Sequence, residues 1–274
     1  MIVKETKSKT CMTKSKLTDY VINPYTGCMH GCKYCYADFI KRFQNIKEDW
    51  GSFVYPKINM PELLEKELEK NKPGNIWLSS VTDCYQPIEA KYKLTRKILE
   101  TISNSKFKDK FKIEILTKSA LVKRDFDILK NLNVELGLSV NTLDEKASRL
   151  IEPLASSPKE RIKVLKEAKE NGIKTYGFIS PILPGITNLE DIFRELSNAG
   201  VDYVWVELLN TRKSILNKFM PFIEANFSEE IIKKFYYAIE NPDDYYEQVE
   251  KEVRILEKKY NLKVKEIVVH NLKE

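Results

Sequence analysis

Hydrophobic and polar positions along the chain switch repeatedly between short continuous apolar runs and the three-and-four spacing of a helix face. Residues 20–23, Tyr-Val-Ile-Asn, stop at Pro24 and predict a short strand. A short helical stretch is predicted over 36–43. Met60–Lys70 sets Leu63, Leu64 and Leu68 on one helical face, with Gly74 beyond its end. Residues 75–80, Asn-Ile-Trp-Leu-Ser-Ser, read as a buried strand. From there the alternation is regular: a helix from about 88 to 103, a strand over Phe111–Thr117, a helix near 124–132 and a strand over 134–140. Capping boxes at Ser157-Pro-Lys-Glu160 and Thr187-Asn-Leu-Glu190 predict two further helix starts, and Gly172 and Gly200 follow their ends. Each of these helices hands over to a strand, at 173–179 and 201–208.

Six strands, each followed by helix and with no run of consecutive strands, predict a parallel α/β sheet. An open doubly wound sheet and a barrel short of two strands both satisfy the pattern. In either, ligands gather at the carboxyl ends of the strands. Beyond Leu216 the pattern changes to helices rich in aromatic and charged residues, including Phe235-Tyr-Tyr237 and 243–259, and then a strand-like 264–269. The expected organisation is a basic N-terminal arm (1–16), a main α/β unit (17–215), and a mostly helical extension or cap on the same domain (216–274).

Composition narrows the class. With 42% hydrophobic and 31% charged residues in 274, the chain reads as globular. No apolar run approaches the roughly 20 residues of a membrane span, and the first residues lack the apolar core of a signal peptide, so a cytoplasmic location is expected. The +6 charge comes from 46 basic and 40 acidic residues spread along the chain, which describes a solvated surface more than a dedicated nucleic-acid face. The local excess is the arm, where Lys4, Lys7, Lys9, Lys14 and Lys16 meet only Glu5 before Asp19. It suits contact with phosphate or a frayed terminus. Five cysteines, three of them bunched, do not form a secreted disulfide framework.

The bunched thiols are the chemical centre. Cys28-Met-His-Gly-Cys32-Lys-Tyr-Cys35 follows an Asn-Pro-Tyr-Thr-Gly turn. Thiolates are soft ligands for zinc, cuprous copper or iron–sulfur clusters. Structural zinc completed by His30, Cys11 or Cys84 lacks the usual second paired half, and an ordinary four-thiolate cluster lacks its fourth cysteine at a set spacing. A cluster held by three thiolates leaves one iron open to a small molecule.

The run from Asn23 to Ala37 resembles the cluster loop of radical S-adenosylmethionine (SAM) enzymes, within them the group related to spore photoproduct lyase. The resemblance extends in order through Val81-Thr-Asp-Cys-Tyr-Gln-Pro-Ile-Glu89, Leu116-Thr-Lys-Ser119, Arg124-Asp125, Ser139-Val-Asn-Thr142, Ile151-Glu-Pro153 and Ser180-Pro-Ile-Leu-Pro-Gly185. It implies a partial (β/α)6 TIM-type barrel with a [4Fe-4S] cluster on Cys28, Cys32 and Cys35. The open iron would chelate SAM, whose reductive cleavage yields a 5′-deoxyadenosyl radical that abstracts hydrogen from a substrate. An electron donor such as flavodoxin or ferredoxin is implied as partner, and oxygen sensitivity follows. Ser79, Ser80 and Thr82 stand where relatives contact the amino acid moiety, although the Gly-Gly-Glu of many radical enzymes is absent. Lys118 suits the SAM carboxylate, Ser139 and Asn141 the ribose, and Tyr34 with the stretch from Phe178 to Ser180 the adenine. Cys84 is the candidate hydrogen-atom donor, its alternative being a small apolar filler. Tyr85, Gln86, Glu152, Glu207 and Asn210 are candidate substrate contacts. The lyase relative and the basic arm favour a nucleic-acid substrate. The diffuse charge and the lack of a recognisable nucleic-acid module favour a peptide or small metabolite, and an electron-carrying iron–sulfur protein is the non-catalytic rival.

Overall fold

The computed structural model describes residues 1–270, so the last four residues of the expected extension, 271–274, lie outside the described residues. The strands, in chain order, are β1 (Ile2–Val3), β2 (Thr13–Lys14), β3 (Tyr20–Ile22), β4 (Tyr25–Thr26), β5 (Phe53–Pro56), β6 (Gly74–Leu78), β7 (Phe111–Thr117), β8 (Val134–Ser139), β9 (Lys174–Ile182), β10 (Tyr203–Leu208) and β11 (Val264–Val268). The helices are α1 (Ile40–Gln44), α2 (Met60–Lys70), α3 (Glu89–Tyr92), α4 (Leu94–Asn104), α5 (Phe126–Leu129), α6 (Glu145–Ile151), α7 (Pro158–Glu170), α8 (Leu189–Asn198), α9 (Lys213–Asn226), α10 (Glu229–Glu240) and α11 (Pro242–Tyr260).

The main sheet runs β11-β10-β9-β8-β7-β6-β3-β2. From β3 to β11 every neighbouring pair is parallel, and β2 lies antiparallel on the β3 edge. The strand order never reverses, whereas a doubly wound sheet has a switch point where it does. The sheet therefore winds one way, as a partial TIM-type barrel with open ends, and this decides between the two architectures the sequence allowed. The strand-like 264–269 is β11, a further parallel strand beside β10.

Period-two alternation divides the sheet into two faces. On β7, Phe111, Ile113 and Ile115 are buried, while Lys112, Glu114 and Leu116 between them point to the concave side and line a groove there. The buried set joins Ile76, Leu136, Ile179 and Val204 of the neighbouring strands and Leu64, Ile98, Leu165, Phe193 and Val253 of the covering helices in one core. The concave face carries aromatic and polar side chains instead: Trp77, Tyr176, Phe178, Trp205 and Glu207. Gly137 of β8 makes room there, since a Cβ on it would fall 2.2 Å from Cζ of Tyr176. The Tyr176 ring uses that room to stack on Tyr203, centroids 5.2 Å apart. The barrel interior is thus hollow and chemically varied, and the packed core lies outside it.

Local differences from expectation have identifiable causes. The helix expected over 88–103 breaks at Lys93, which takes φ 53°, because the Glu89 carboxylate accepts the N–H groups of Thr95 and Arg96 and starts α4 afresh. The Ser157–Glu160 capping box forms as expected. At the other, Asn188 is the cap and accepts from the Asp191 N–H, because Thr187 Oγ1 is already engaged between the Leu183 N–H and the Asn141 carbonyl. The strands β1, β5 and β4 form a small separate sheet with no sequence signal. Residues of the arm pair with it through Ile2–Val3, and Cys11 and Met12 donate their N–H groups to the Glu67 carboxylate.

Glu135, buried at the end of the barrel where β8 begins, supplies a pH handle on the fold. Burial opposes its ionisation, but Lys174, Lys112 at 3.0 Å and the Tyr203 hydroxyl at 2.8 Å outweigh it and hold the carboxyl at about 2. A depressed folded-state value adds stability above the usual carboxylate pKa, lost as pH falls from about 4.5 to about 2. After allowance for solvent screening of the half-exposed lysines, the contribution is about 2 kcal/mol. The urea midpoint should fall across that window, and a Glu135→Gln variant should show a visibly flatter profile; an equally steep profile in the variant would refute the assignment.

Candidate active site

The loop after β4 carries the three cysteines, and the sequence that follows β6 holds it down. Gly27 opens the loop at φ 84°, and a Cβ there would meet the Phe53 carbonyl at 2.4 Å, so only glycine fits. Gln86 grips the loop twice: its Nε2 donates to the Gly27 carbonyl at 3.1 Å and its Oε1 accepts the Met29 N–H at 2.8 Å. His30, 2% exposed, spans 3.0 Å from Nδ1 to the Leu154 carbonyl and 3.0 Å from Nε2 to Asp83. Asp83 also accepts the Thr117 hydroxyl, the Lys118 N–H and the Tyr85 N–H. Burial opposes its charge, and His30 with these donors prevails, leaving its carboxyl at about 2. The Thr82-to-Glu89 stretch is therefore a clamp joining the thiol loop to the ends of β6 and β7. Tyr85 and Gln86, expected as substrate contacts, are buried inside it.

A second clamp works from the other side. The Tyr34 hydroxyl donates to Glu152, whose other oxygen accepts from Arg161 at 2.5 Å. Arg161, 1% exposed, also donates to the carbonyls of Ser139 and Ser156. Asn141 Nδ2 lies 3.2 Å from Glu152, and the Tyr34 ring packs edge-on against Phe219.

Between the clamps lies a cavity of about 180 Å³ at the carboxyl ends of the strands. Cys28, Cys32, Cys35, Tyr34, Ser79, Ser80, Thr82, Lys118 and Ser180 all line it, nine of the residues singled out from sequence. Ser79 takes φ 68°, a conformation side-chain-bearing residues rarely hold, and its hydroxyl faces that of Thr82 at 3.4 Å. Burial pushes all three loop thiols up, Cys28 to about 12, and their mutual proximity pushes Cys28 and Cys32 the same way. Three crowded thiols in a dry pocket are costly as anions, and a cationic iron group removes that cost by binding the thiolates. The buried indole N–H of Trp50 has no oxygen or nitrogen acceptor and faces Cys35, whose thiolate it favours. Lys118 keeps its charge: burial disfavours it, but Glu152 and Cys32 outweigh burial, and among the described residues no carboxylate lies within ion-pair distance. Soft donors beside an ammonium that lies over the Tyr34 ring at 5.9 Å, with no carboxylate paired to it among the described residues, fit a thiolate-ligated cluster and a carboxylate-bearing ligand.

Besides Tyr85, Gln86 and Glu152 of the clamps, three further expected residues stand away from this cavity. Cys84 is fully buried in the outer core, its thiol beside Ser79 and raised by burial, so the hydrogen donor expected from sequence does not reach the cavity wall. Position within the turn explains this, since Cys84 points outward while Asp83 points in. Ser139 is fully buried and donates to the Ser180 carbonyl at 3.0 Å, and Asn141 is held by Glu152 behind the wall. The sequence reading missed Asp83, Trp50, Trp77 and His270 as parts of the site, and weighed His30 only as a zinc ligand. With only two histidines in the chain, His30 inside the cysteine motif was the available signal for the first clamp; Trp50, in an irregular stretch, offered none.

The cavity opens into a groove of about 1220 Å³ along the concave face, with Trp77, Leu116, Phe178, Glu207, Asn210 and His270 on both walls. Glu207 accepts from the Ser180 hydroxyl and lies 2.9 Å from His270 Nε2. Among the described residues no helix is long and apolar enough to cross a membrane.

Comparison with known proteins agrees with this geometry. An uncharacterised protein of Methanocaldococcus jannaschii is 38% identical over 259 residues, covering 94% of this chain and 93% of its own. An uncharacterised protein of Acidianus two-tailed virus is 35% identical over 229 residues, 77% of this chain and 73% of the relative. The fold is that of a spore photoproduct lyase variant solved with AdoMet and dinucleoside spore photoproduct, with a TM-score of 0.71 at 16% identity over 98% of this chain and 82% of that one. Residues 22–196, well over half the length, match the Radical SAM superfamily, whose members use a [4Fe-4S] cluster and SAM, and the chain belongs to that superfamily.

Proposed function

We propose that the protein reductively cleaves SAM and directs the resulting radical at a nucleic acid, with Cys28, Cys32 and Cys35 holding the cluster. The observation that carries this is the continuity of the thiol-lined cavity with a groove that is both basic and aromatic. A [4Fe-4S] cluster held by Cys28, Cys32 and Cys35 would supply one-electron reduction of the SAM sulfonium, and with it the radical chemistry of hydrogen abstraction. Around it, Lys118 holds the SAM carboxylate by charge, and the hydroxyls of Ser79, Ser80 and Thr82 serve the amino acid moiety. Tyr34, Phe178 and Ser180 frame the adenosine side. Trp50, Trp77 and Leu116 wall the cavity and exclude water.

In the groove, Lys14, Lys16, Lys72 and Lys265 suit phosphates, and Trp77 and Trp205 are the half-buried rings that suit bases. Among the described residues the buried indole N–H of Trp77 has no acceptor, whereas that of Trp205 faces the Tyr203 hydroxyl. Further support comes from the dinucleoside held by the lyase of similar fold. Five free cysteines suit the reducing, oxygen-poor cytoplasm in which such chemistry survives.

The test has two arms. Anaerobic reconstitution with iron and sulfide, reduction by dithionite and addition of SAM should give 5′-deoxyadenosine; an intact cluster with no such product would leave an electron carrier. Retention of single-stranded oligonucleotides should weaken steeply with salt, log K falling by about 0.7 per phosphate contact per decade. Salt-independent retention, or none, would instead favour a peptide or small metabolite.

A further inference from the structure

Of the three loop thiols, Cys35 alone lines both the cofactor cavity and a second cavity of about 510 Å³ on the protein surface. That second cavity is ringed by Lys33, Lys41, Arg42 and Lys218. The acid on its rim, Asp38, is engaged by Lys218 and lies 3.8 Å from Lys41, so the ring stays cationic. Directly after Cys35 comes a line of touching aromatic rings that leads outward. Tyr36 stacks on Phe39 at 6.4 Å, and Phe39 meets Phe43 edge-on at 5.9 Å. They are 50%, 42% and 83% exposed, an apolar ridge left open among the described residues. Large exposed rings ringed by charge describe a contact surface more than a solvated face.

We propose that this patch is where an acidic one-electron carrier protein docks to reduce the cluster. The inference rests on the functional reading above and adds the entry point for the electron. Electron transfer weakens steeply with distance, so a donor must approach the side of the cluster nearest solvent, and Cys35 marks that side. The cationic ring steers an acidic partner, and the Phe39–Phe43 ridge gives it an apolar centre to settle on. The ridge also borders the concave groove, whose lining includes Tyr36 and Phe39, so donor and substrate surfaces meet at these two rings while the cationic ring of Lys33, Lys41, Arg42 and Lys218 lies outside the groove. The step is a single electron passing from the reduced carrier to the oxidised cluster, with no bond made or broken.

The reconstituted protein, an acidic flavodoxin reduced to its hydroquinone and stopped-flow mixing under anaerobic conditions provide the test. Cluster bleaching by flavodoxin should slow as salt rises. In an Arg42→Glu/Phe43→Ser variant it should slow about 10-fold or more at low salt, with the salt dependence flattened. Lys251→Glu on α11, outside the patch, should leave the rate alone. Bleaching by dithionite, which needs no docking, should be equal in all three proteins. A wild-type rate with flavodoxin in the double variant would overturn the proposal, and so would equal slowing by Lys251→Glu. Bleaching reads docking, and 5′-deoxyadenosine formed with dithionite reads the enzymatic function, so either can fail without the other.

Discussion

A Cys32→Ser variant should fail to hold a [4Fe-4S] cluster after anaerobic reconstitution and should form 5′-deoxyadenosine at no more than about a thousandth of the wild-type rate, the scale set by removing an indispensable part of a catalytic unit. Cys32 is the right thiol to test because its surroundings act on it from both sides. Burial raises it, Glu152 raises it further, and Lys118 counters them. A serine there is nearly isosteric and cannot supply a soft thiolate, while the Tyr34–Glu152 and His30–Asp83 anchors of the loop are left in place. The loss should therefore appear in iron content and in the thiolate-to-iron absorption, and the unfolding midpoint of the cluster-free protein should move little. Cys11→Ala, a buried cysteine outside the cavity lining, should keep full iron loading. Full loading in Cys32→Ser would remove this residue from the ligand set and return the motif to a different arrangement of donors.

Much of the scaffold around that thiol was legible in the pattern of residues. Six strand units were visible because β3 and β6 to β10 are short apolar runs, the later ones separated by capped or glycine-ended helices. Each strand end then brought its candidate polar residue to one rim, since parallel strands all present their carboxyl ends on one side. Legibility failed where a residue's direction, not its position, decides its role. Cys84 and Asp83 are neighbours in one turn, yet Asp83 faces the cluster loop and Cys84 the outer core. Ser139 and Asn141 likewise sit at the expected strand end, with the polar atoms committed to Ser180 and Glu152. The groove was hidden for a related reason. Lys112, Glu114 and Leu116 read as the ordinary outer face of a half-buried strand, and only the curvature of the sheet turns that face into a channel wall.

Loss of the Glu152 carboxylate should have the largest effect on stability. Glu152 and Arg161 are both about 1% exposed, and each is the other's counter-ion. Glu152→Ala leaves the guanidinium buried without its charge partner and strips the Tyr34 hydroxyl and Asn141 Nδ2 of a shared acceptor. Breaking such a pair from one side costs about 3–5 kcal/mol, which for a chain of this size lowers Tm by roughly 10 °C. Glu152→Gln keeps the acceptor for Tyr34 and should lose about half as much. A double replacement, Glu152→Leu with Arg161→Met, removes both charges and should recover most of the loss, because two desolvated ions are exchanged for packed apolar atoms. Cofactor binding should not recover with it. Burial works against the Lys118 ammonium and Glu152 is the first group that offsets burial, so all three variants should bind SAM about 10-fold more weakly or worse. Denaturant midpoints and SAM titrations together separate the two roles. Restored stability with restored affinity in the double variant would mean that Glu152 acts on the cofactor site only through the fold, whereas stability restored alone identifies it as the residue that keeps Lys118 charged beside the thiol loop.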